Sequence, residues 1–457
     1  MRLLPRHIRP QLVEALADSR VVCLLGARQS GKSTLVRAVA EDEHPARYLT
    51  LDDPTTLELA REDPAGFVAG TERLAIDEIQ RAPDLLLAIK RVVDADNTPG
   101  RFLVTGSANI VTHPRVADAL PGRVDYMTLW PFSQAELVER RSTFLEDAFR
   151  GRPPRVEQPP VGRAGYADRL VKGGFPEAAR ADTARRKRFF SGYVGSILGR
   201  EIGELATVRD TEAAARVLRL AAARSAALTN LSSIGRELGI DHKTVANHLY
   251  SLEQLFMVIR LPAWHANLGH RVIRTPKLHI TDTGLLCSLI GVDAKRLEDD
   301  GGIAGSVFET FAVTEIVRQA SVSDLSPRLF LHHYRDQHGN EVDLVLELAS
   351  GEVVGIEVKA SASPRLKDAA GLRLLRDRLG DRFRLGLLLH LGSGSTPLGE
   401  RISAVPLAGL WSPGSARERA GRELLSMPPP PGPGPEPDWE EQKREIRDAP
   451  MRKSPGA

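Results

Sequence analysis

Cysteine is nearly absent: Cys23 and Cys287 are the only two in 457 residues. Each lies in an apolar stretch with no Cys or His at ligand spacing, which excludes a disulfide framework and a zinc site and suits a reducing cytoplasm. Long hydrophobic runs are missing as well. Nowhere do about 18 apolar residues run together, as a membrane-spanning helix requires. The start, MRLLPRHIRPQLVEAL, lacks the apolar core and small-residue cleavage site of a secretory signal. No membrane partner is expected, and the chain reads as cytoplasmic. Neither charge sign dominates. Lys plus Arg number 62 against 59 Asp plus Glu, so the net charge of +3 names no polyanionic partner. No repeat of fixed period is present.

What is present is ordinary globular material, 42% hydrophobic and 26% charged, in a chain long enough for two or three domains. Three stretches punctuate it. The proline-rich, charged segment 427–457 cannot build a core and is expected to be disordered. Four prolines in GRPPRVEQPPVGRAG, 151–165, suit a surface loop, and polar and glycine punctuation at 291–305 separates a middle from a C-terminal segment. Before the first loop, short apolar runs (VVCLLG, RYLTL, RLAIDEI, FLVTGS) alternate with amphipathic ones, the pattern of a parallel sheet with helical cover. From 166 to 260 the spacing turns helical. After 305 a helix precedes four strand-like runs, predicting a mixed sheet. The expected class is α/β: a P-loop parallel sheet over 1–150, a helical or winged-helix part over 166–290, and a mixed α/β part over 303–412.

The strongest signal is Gly26, Ala27, Arg28, Gln29, Ser30, Gly31, Lys32 and Ser33, a G-x-x-x-x-G-K-S loop after a strand and before a helix. Glycines let the backbone fold around phosphates with its N–H groups and the helix N-terminus facing the negative charge. Lys32 is placed to reach the β- and γ-phosphates and Ser33 to ligate Mg²⁺, with Thr34 the neighbouring hydroxyl. About 45 residues on, RLAIDE ends an apolar strand with two acids. Asp77 is a candidate for holding Mg²⁺ through water and Glu78 for polarising an attacking water. The next strand ends in Thr105, Gly106 and Ser107. A polar group at that tip suits sensing the γ-phosphate, as it suits a simple turn.

The run of GARQSGKSTL, LDDP, LAIDEIQ and VTGSAN in this order resembles P-loop ATPases of the AAA superfamily over about residues 20–140. The resemblance implies ATP and Mg²⁺ as cofactors and ATP hydrolysis through Lys32, Ser33, Asp77 and Glu78. Such enzymes complete their site with an arginine from a neighbour. Arg123 is the candidate here, with a structural salt bridge as its alternative, Arg81 is a weaker one, and a homo-oligomer is left open.

Residues 230–252, NLSSIGRELGIDHKTVANHLYSL, resemble helix-turn-helix and winged-helix domains. A DNA-binding role would turn His242, Lys243, Thr244, Asn247 and His248 to the groove; packing on the ATPase core, or a protein contact, is the alternative. GGFPEA at 173–178, the Arg200–Glu201 pair and PKLHITDTGL recur in one branch of bacterial and archaeal ATPases. Arg271, Arg274 and Lys277 form a basic tract, read as a solvated face more readily than as a nucleic-acid site.

Glu309 on a helix, Asp343 in NEVDLVLEL, and Glu357 with Lys359 in GIEVKA make a third constellation. One hairpin sets Asp343 and Glu357 side by side, and strand alternation puts Glu357 and Lys359 on one face. Acids so gathered bind Mg²⁺ that polarises a scissile phosphate; the lysine activates water or only contacts phosphate. The pattern resembles the PD-(D/E)xK nuclease superfamily, with Val342 where its proline stands, in the arrangement known as DUF4143-type. Two readings follow: metal-dependent cleavage of DNA or RNA, or a retained fold whose charges pair with each other, serving protein partners as a nucleotide-regulated switch.

Overall fold

The computed structural model describes residues 3–70, 72–107, 122–156, 161–201, 210–265 and 275–413, the side chains of Arg200 and Glu201 excepted. The expected disordered tail at 427–457, together with Arg271 and Arg274, lies outside the described residues. Among the described residues no helix is long and apolar enough to cross a membrane.

The chain is α/β. Five strands form the first sheet: β1 (Val21–Leu25), β2 (Arg47–Thr50), β3 (Leu74–Asp77), β4 (Phe102–Gly106) and β5 (Val124–Thr128). Their order is β2-β3-β4-β1-β5, and every pairing is parallel. β1, β3 and β4 are buried along their whole length, which is why they read as unbroken apolar runs and not as alternating ones. Because β4 is inserted between β1 and β3, the carboxyl ends of these three strands lie side by side, where ligands bind in open α/β sheets.

A mostly helical stretch follows. The helix Thr183–Ser196 is capped by Asp182. Further on come the helices Thr211–Ala223, Leu231–Leu238 and His242–Gln254, the last opened by Asp241, whose carboxylate accepts from Lys243 N and Thr244 N. Two short antiparallel strands, β6 (Val258–Leu261) and β7 (Lys277–Ile280), complete this part. Leu228 makes a further antiparallel bridge to Lys277.

The third part is a six-stranded sheet of β8 (Leu329–Arg335), β9 (Glu341–Leu348), β10 (Val353–Lys359), β11 (Phe383–His390), β12 (Thr396–Gly399) and β13 (Ile402–Pro406), ordered β12-β13-β11-β10-β9-β8. β8, β9 and β10 form antiparallel pairs, whereas β10–β11 and β11–β13 are parallel. The helix Gly301–Ala320 packs on this sheet, with Val307, Phe308, Phe311 and Val313 wholly buried. One apolar core runs through all three parts, from Val21 to Trp411, so side chains far apart in sequence are held in fixed relation.

A buried polar knot joins the parts. Arg318 donates to the Phe132 carbonyl (3.2 Å), to Glu315 (2.7 Å), to the Thr281 carbonyl (3.1 Å) and to Asp282 (3.2 Å). Asp282 also accepts from Gly174 N (2.7 Å), and Glu315 from Gln134 N (2.8 Å). Glu315 and Asp282 are completely buried, and groups so placed must be satisfied inside the protein. Gly174 is required here: a Cβ would lie 2.1 Å from the Phe132 carbonyl oxygen.

Candidate functional site

The glycine-rich loop joins the end of β1 to the helix Lys32–Glu41. Gly26 has φ +148° and a Cβ there would lie 2.2 Å from the Leu129 carbonyl oxygen, so the turn admits no side chain. Gly31 caps the helix in the left-handed region at φ +101°, leaving the first-turn N–H groups open toward the loop. Lys32 is buried and folds inward, donating to the Gly26 and Ala27 carbonyls at 3.0 Å each. The Ser30 hydroxyl is buried and makes no hydrogen bond among the described residues. Arg6 braces the loop from outside, bonding the Ser30 carbonyl (2.8 Å), the Trp130 carbonyl (2.6 Å) and Glu136 (3.1 Å).

At the tip of β3, Asp77 is buried and accepts from Tyr48 Oη (2.8 Å) and from the Thr105 hydroxyl. Burial, with Asp77 close by, pushes the Tyr48 phenol up to about 12, which keeps it a neutral donor. Thr105, on the adjacent β4, also accepts from Glu78 N (3.1 Å), so it sets both acids. Glu78 sits in the left-handed region at φ +61°, uncommon for a non-glycine residue and a mark of strain held by its surroundings. Its carboxylate accepts from Gln80, whose amide also donates to Ser107 (2.9 Å). Facing the loop is the helix Thr183–Ser196. Arg28, Gln29, Arg188, Phe189, Gly192, Tyr193 and Ser196 enclose a cleft of about 200 Å³ between them.

Arg123 stands at the other edge. It immediately precedes β5, whose first residue pairs with Val21 at the start of β1, whereas the loop follows the end of β1. Five residues of strand separate the two, about 15 Å. Arg123 is paired with Asp94, and at that distance it does not reach the loop of its own chain. Arg81 is bonded to Asp52 at 2.6 Å on the surface.

In the helical part, His242, Lys243 and Asn247 are exposed and Thr244 half-buried, but His248 is buried. The expected groove-facing role of His248 is therefore corrected: it falls on the stripe of Val245, Leu249 and Leu252, which is the core face of its helix. Burial lowers its pKa.

The acids of the third part come together, with an unexpected guest. Asp343 on β9 neighbours Glu357 on β10, and Val358 N donates to Asp343 at 2.9 Å. Lys359 bonds Glu357 at 2.6 Å. Lys277, read from sequence as part of a solvated basic tract, is instead 2% exposed. Its ammonium reaches from β7 to Glu309 (2.6 Å), Glu341 (2.5 Å) and Asp343 (3.2 Å). Burial alone lowers the Lys277 pKa, and Asp343, Glu309 and Glu341 more than offset it, leaving it raised and the group charged. Burial and Asp343 push the Glu357 carboxyl up to about 8, against the opposing pull of Lys359. Glu309 is likewise held well above the usual range by burial and Asp343. Sequence reading missed Tyr48, Gln80 and Arg6, for which it holds no signal. It also missed Glu341, two residues before Asp343 and so on the same strand face.

With this geometry in view, comparison with known proteins places the chain. An uncharacterised protein of Mycobacterium tuberculosis, Rv2008c, is 30% identical over 418 residues, covering 90% of this chain and 86% of the relative. The chain belongs to its family. Mb2031c of Mycobacterium bovis gives the same figures, and an uncharacterised Haemophilus influenzae protein is 26% identical over 234 residues, 49% of this chain and 55% of the relative. Residues 18–138 match the family described as AAA domain, 163–296 a domain of unknown function (DUF8612), and 304–410 a second one (DUF4143). The chain thus has the fold of an AAA-type P-loop ATPase joined to a DUF4143 domain. Among solved structures, the Thermotoga maritima RuvB Holliday junction branch migration motor aligns with 56% of this chain and 89% of its own at 19% identity, with a TM-score of 0.28, too low to support any argument.

Proposed function

We propose that this protein is a Mg²⁺-dependent ATPase that works as a nucleotide-driven switch, with a nucleotide-binding part at 1–150 acting on a winged-helix part at 166–290 and a nuclease-like part at 303–412. The observation that carries the ATPase reading is the glycine-rich loop at the end of β1, with Lys32 turned into it and the acids Asp77, buried, and Glu78, half-buried, two strands away. The residues fit the group: Gly26 and Gly31 hold the loop backbone at positive φ, with no room for a Cβ at Gly26, and the buried Ser30 hydroxyl lacks a partner among the described residues. Backbone N–H groups from Gly26 to Thr34 hold the phosphates, with Lys32 exchanging its two loop carbonyls for phosphate oxygens. Ser33 and Asp77 hold the metal, which when bound neutralises charge on the phosphates. Glu78, steadied by Gln80 and Thr105, takes the proton of the attacking water, and Ser107 through Gln80 fixes the position of that carboxylate. Phe189 and Tyr193 give the cleft an aromatic wall suited to a base, and Arg188 a positive charge suited to phosphate. An arginine from a neighbouring copy, with Arg123 as the candidate, requires a homo-oligomer.

ATP turnover by the purified protein tests this reading. Lys32→Ala should abolish nucleotide binding, and Glu78→Gln should retain binding while slowing turnover by about 10²–10⁴-fold. Unchanged turnover in Glu78→Gln overturns the assignment.

A second reading, action on DNA or RNA, is favoured by one observation. A helix, a bridging residue, two further helices and an antiparallel pair follow one another as in a winged helix, and His242, Lys243 and Asn247 line the exposed face of the last helix. Retarded mobility of duplex DNA, lost in Lys243→Glu, supports it; equal affinity in that variant removes it.

A further inference from the structure

The nuclease resemblance implies a divalent metal at Glu309, Asp343 and Glu357, and the residues present do not fit one. Glu309, Asp343 and Glu341 converge on the Lys277 ammonium, which enters from the neighbouring β6–β7 pair. An ammonium has three N–H donors and no acceptor. Here three carboxylates meet it at 2.5 to 3.2 Å, so its bonding capacity is met by the groups that would hold a metal. A divalent cation among the same oxygens would stand beside a buried positive charge. Glu357 is drawn away in a separate pair with Lys359. Among the described residues, no group of three or more acidic, histidine or cysteine side chains is arranged to hold a metal ion.

We propose that Lys277 is the resident cation of this cluster, excluding divalent metal from the nuclease-like part and latching β7 onto its sheet. The latch is not the only tie at this edge. Trp264 N donates to the His333 carbonyl (2.6 Å), His333 N donates to the Pro262 carbonyl (2.9 Å), and the Trp264 indole N–H bonds Glu347 (3.2 Å). The segment next to β6 therefore lies along β8, and Lys277 closes the contact from the other strand of the pair. A fold shaped for cutting a phosphodiester becomes in this arrangement a receptor for a lysine of its own chain.

The test is Mn²⁺ binding to the full chain, without nucleotide and in an Asp77→Asn background that removes the carboxylate of the two proposed metal ligands at the ATP site, followed by the electron paramagnetic resonance signal of free Mn²⁺. No bound Mn²⁺ that depends on Asp343 is expected up to about 1 mM, the weak end of protein sites for hard divalent cations. Replacing Lys277 with methionine keeps the length and removes the charge. Lys277→Met should create one site binding at least about tenfold more tightly, lost again when Asp343→Asn is added. Mn²⁺ bound by the protein with Lys277 intact and released by Asp343→Asn overturns the proposal. So does a folded Lys277→Met protein, judged by circular dichroism, that gains no site. If Lys277→Met does not fold, the comparison with and without Asp343→Asn decides alone, because it needs no change at Lys277.

Discussion

Arg318→Met removes the cation at the centre of the polar knot and leaves two fully buried carboxylates behind. Asp282 keeps its bonds from Gly174 N and Leu285 N, and Glu315 keeps the one from Gln134 N. Burial raises the Glu315 carboxyl pKa and Arg318 offsets part of the rise, so in the variant Glu315 must take up a proton or stand as an uncompensated charge. The Phe132 and Thr281 carbonyls lose their donor as well. Breaking a buried ionic contact by deleting one partner costs about 3–5 kcal/mol. With a urea dependence of about 3 kcal/mol per molar, the unfolding midpoint should fall by roughly 1–1.7 M. The direct check is a double-mutant cycle with Glu315→Gln. The amide oxygen still accepts from Gln134 N, so the pair Arg318→Met/Glu315→Gln should recover about 1–3 kcal/mol of the loss. A single variant whose midpoint moves by less than about 0.3 M, or a cycle with no coupling, refutes the view that this knot holds the parts together.

Gly26→Ala places a Cβ 2.2 Å from the Leu129 carbonyl oxygen at φ +148°, so nucleotide binding should be lost and stability reduced by about 3 kcal/mol, whereas Gly305→Ala, in a helix with open space around the new methyl, should be neutral or stabilising in the same denaturation assay. Glu357 has a carboxyl pKa raised to about 8 from an ordinary 4.5, so the folded state binds the extra proton. Its contribution is fully present below about pH 4.5 and lost as pH rises through about 8. Thermal midpoints should therefore decline between pH 5 and 8, and Glu357→Gln should flatten that decline by an amount on the order of 1–4 kcal/mol; an unaltered slope counts against the assigned shift.

The glycine-rich loop is legible in the sequence because its geometry is local: consecutive residues make the turn and open the helix, and the buried β1, β3 and β4 announce themselves as apolar runs. The edge on which Arg123 lies follows equally from parallel strands, since a residue before a strand and a loop after one sit at opposite rims. His248 is easily misread although the signal is present, for Val245, His248, Leu249 and Leu252 recur at helical spacing and mark the core face. Lys277 is a different case. Its partners lie 32 and 66 residues away, at Glu309 and Asp343, and the basic residues just before it in sequence, Arg274 and Arg271, suggest a solvated tract. Only the docking of one part on another brings a lysine and three acids together, and no local pattern encodes that docking.

The same docking gives the nucleotide loop a physical route to the acidic cluster. Gly26 packs against Leu129, whose N–H bonds the Leu25 carbonyl at 2.7 Å, and three residues later the Phe132 carbonyl accepts from Arg318. From Arg318 two rigid elements lead on. One is the helix Gly301–Ala320, in which nine residues, or about 14 Å of helix, separate Arg318 from Glu309. The other is β7, whose far end continues into Thr281 and Asp282 in the knot while its near end carries Lys277 into the cluster. Arg6 adds a third tie by gripping the Ser30 and Trp130 carbonyls at once. If the loop binds phosphate as proposed, a shift of it would press on the segment that anchors Arg318. Both elements leaving that anchor end on the same ion cluster, one supplying the ammonium and the other a carboxylate. Displacing either element would change the separation of opposite buried charges, whose attraction is stronger in a low-dielectric interior than in water.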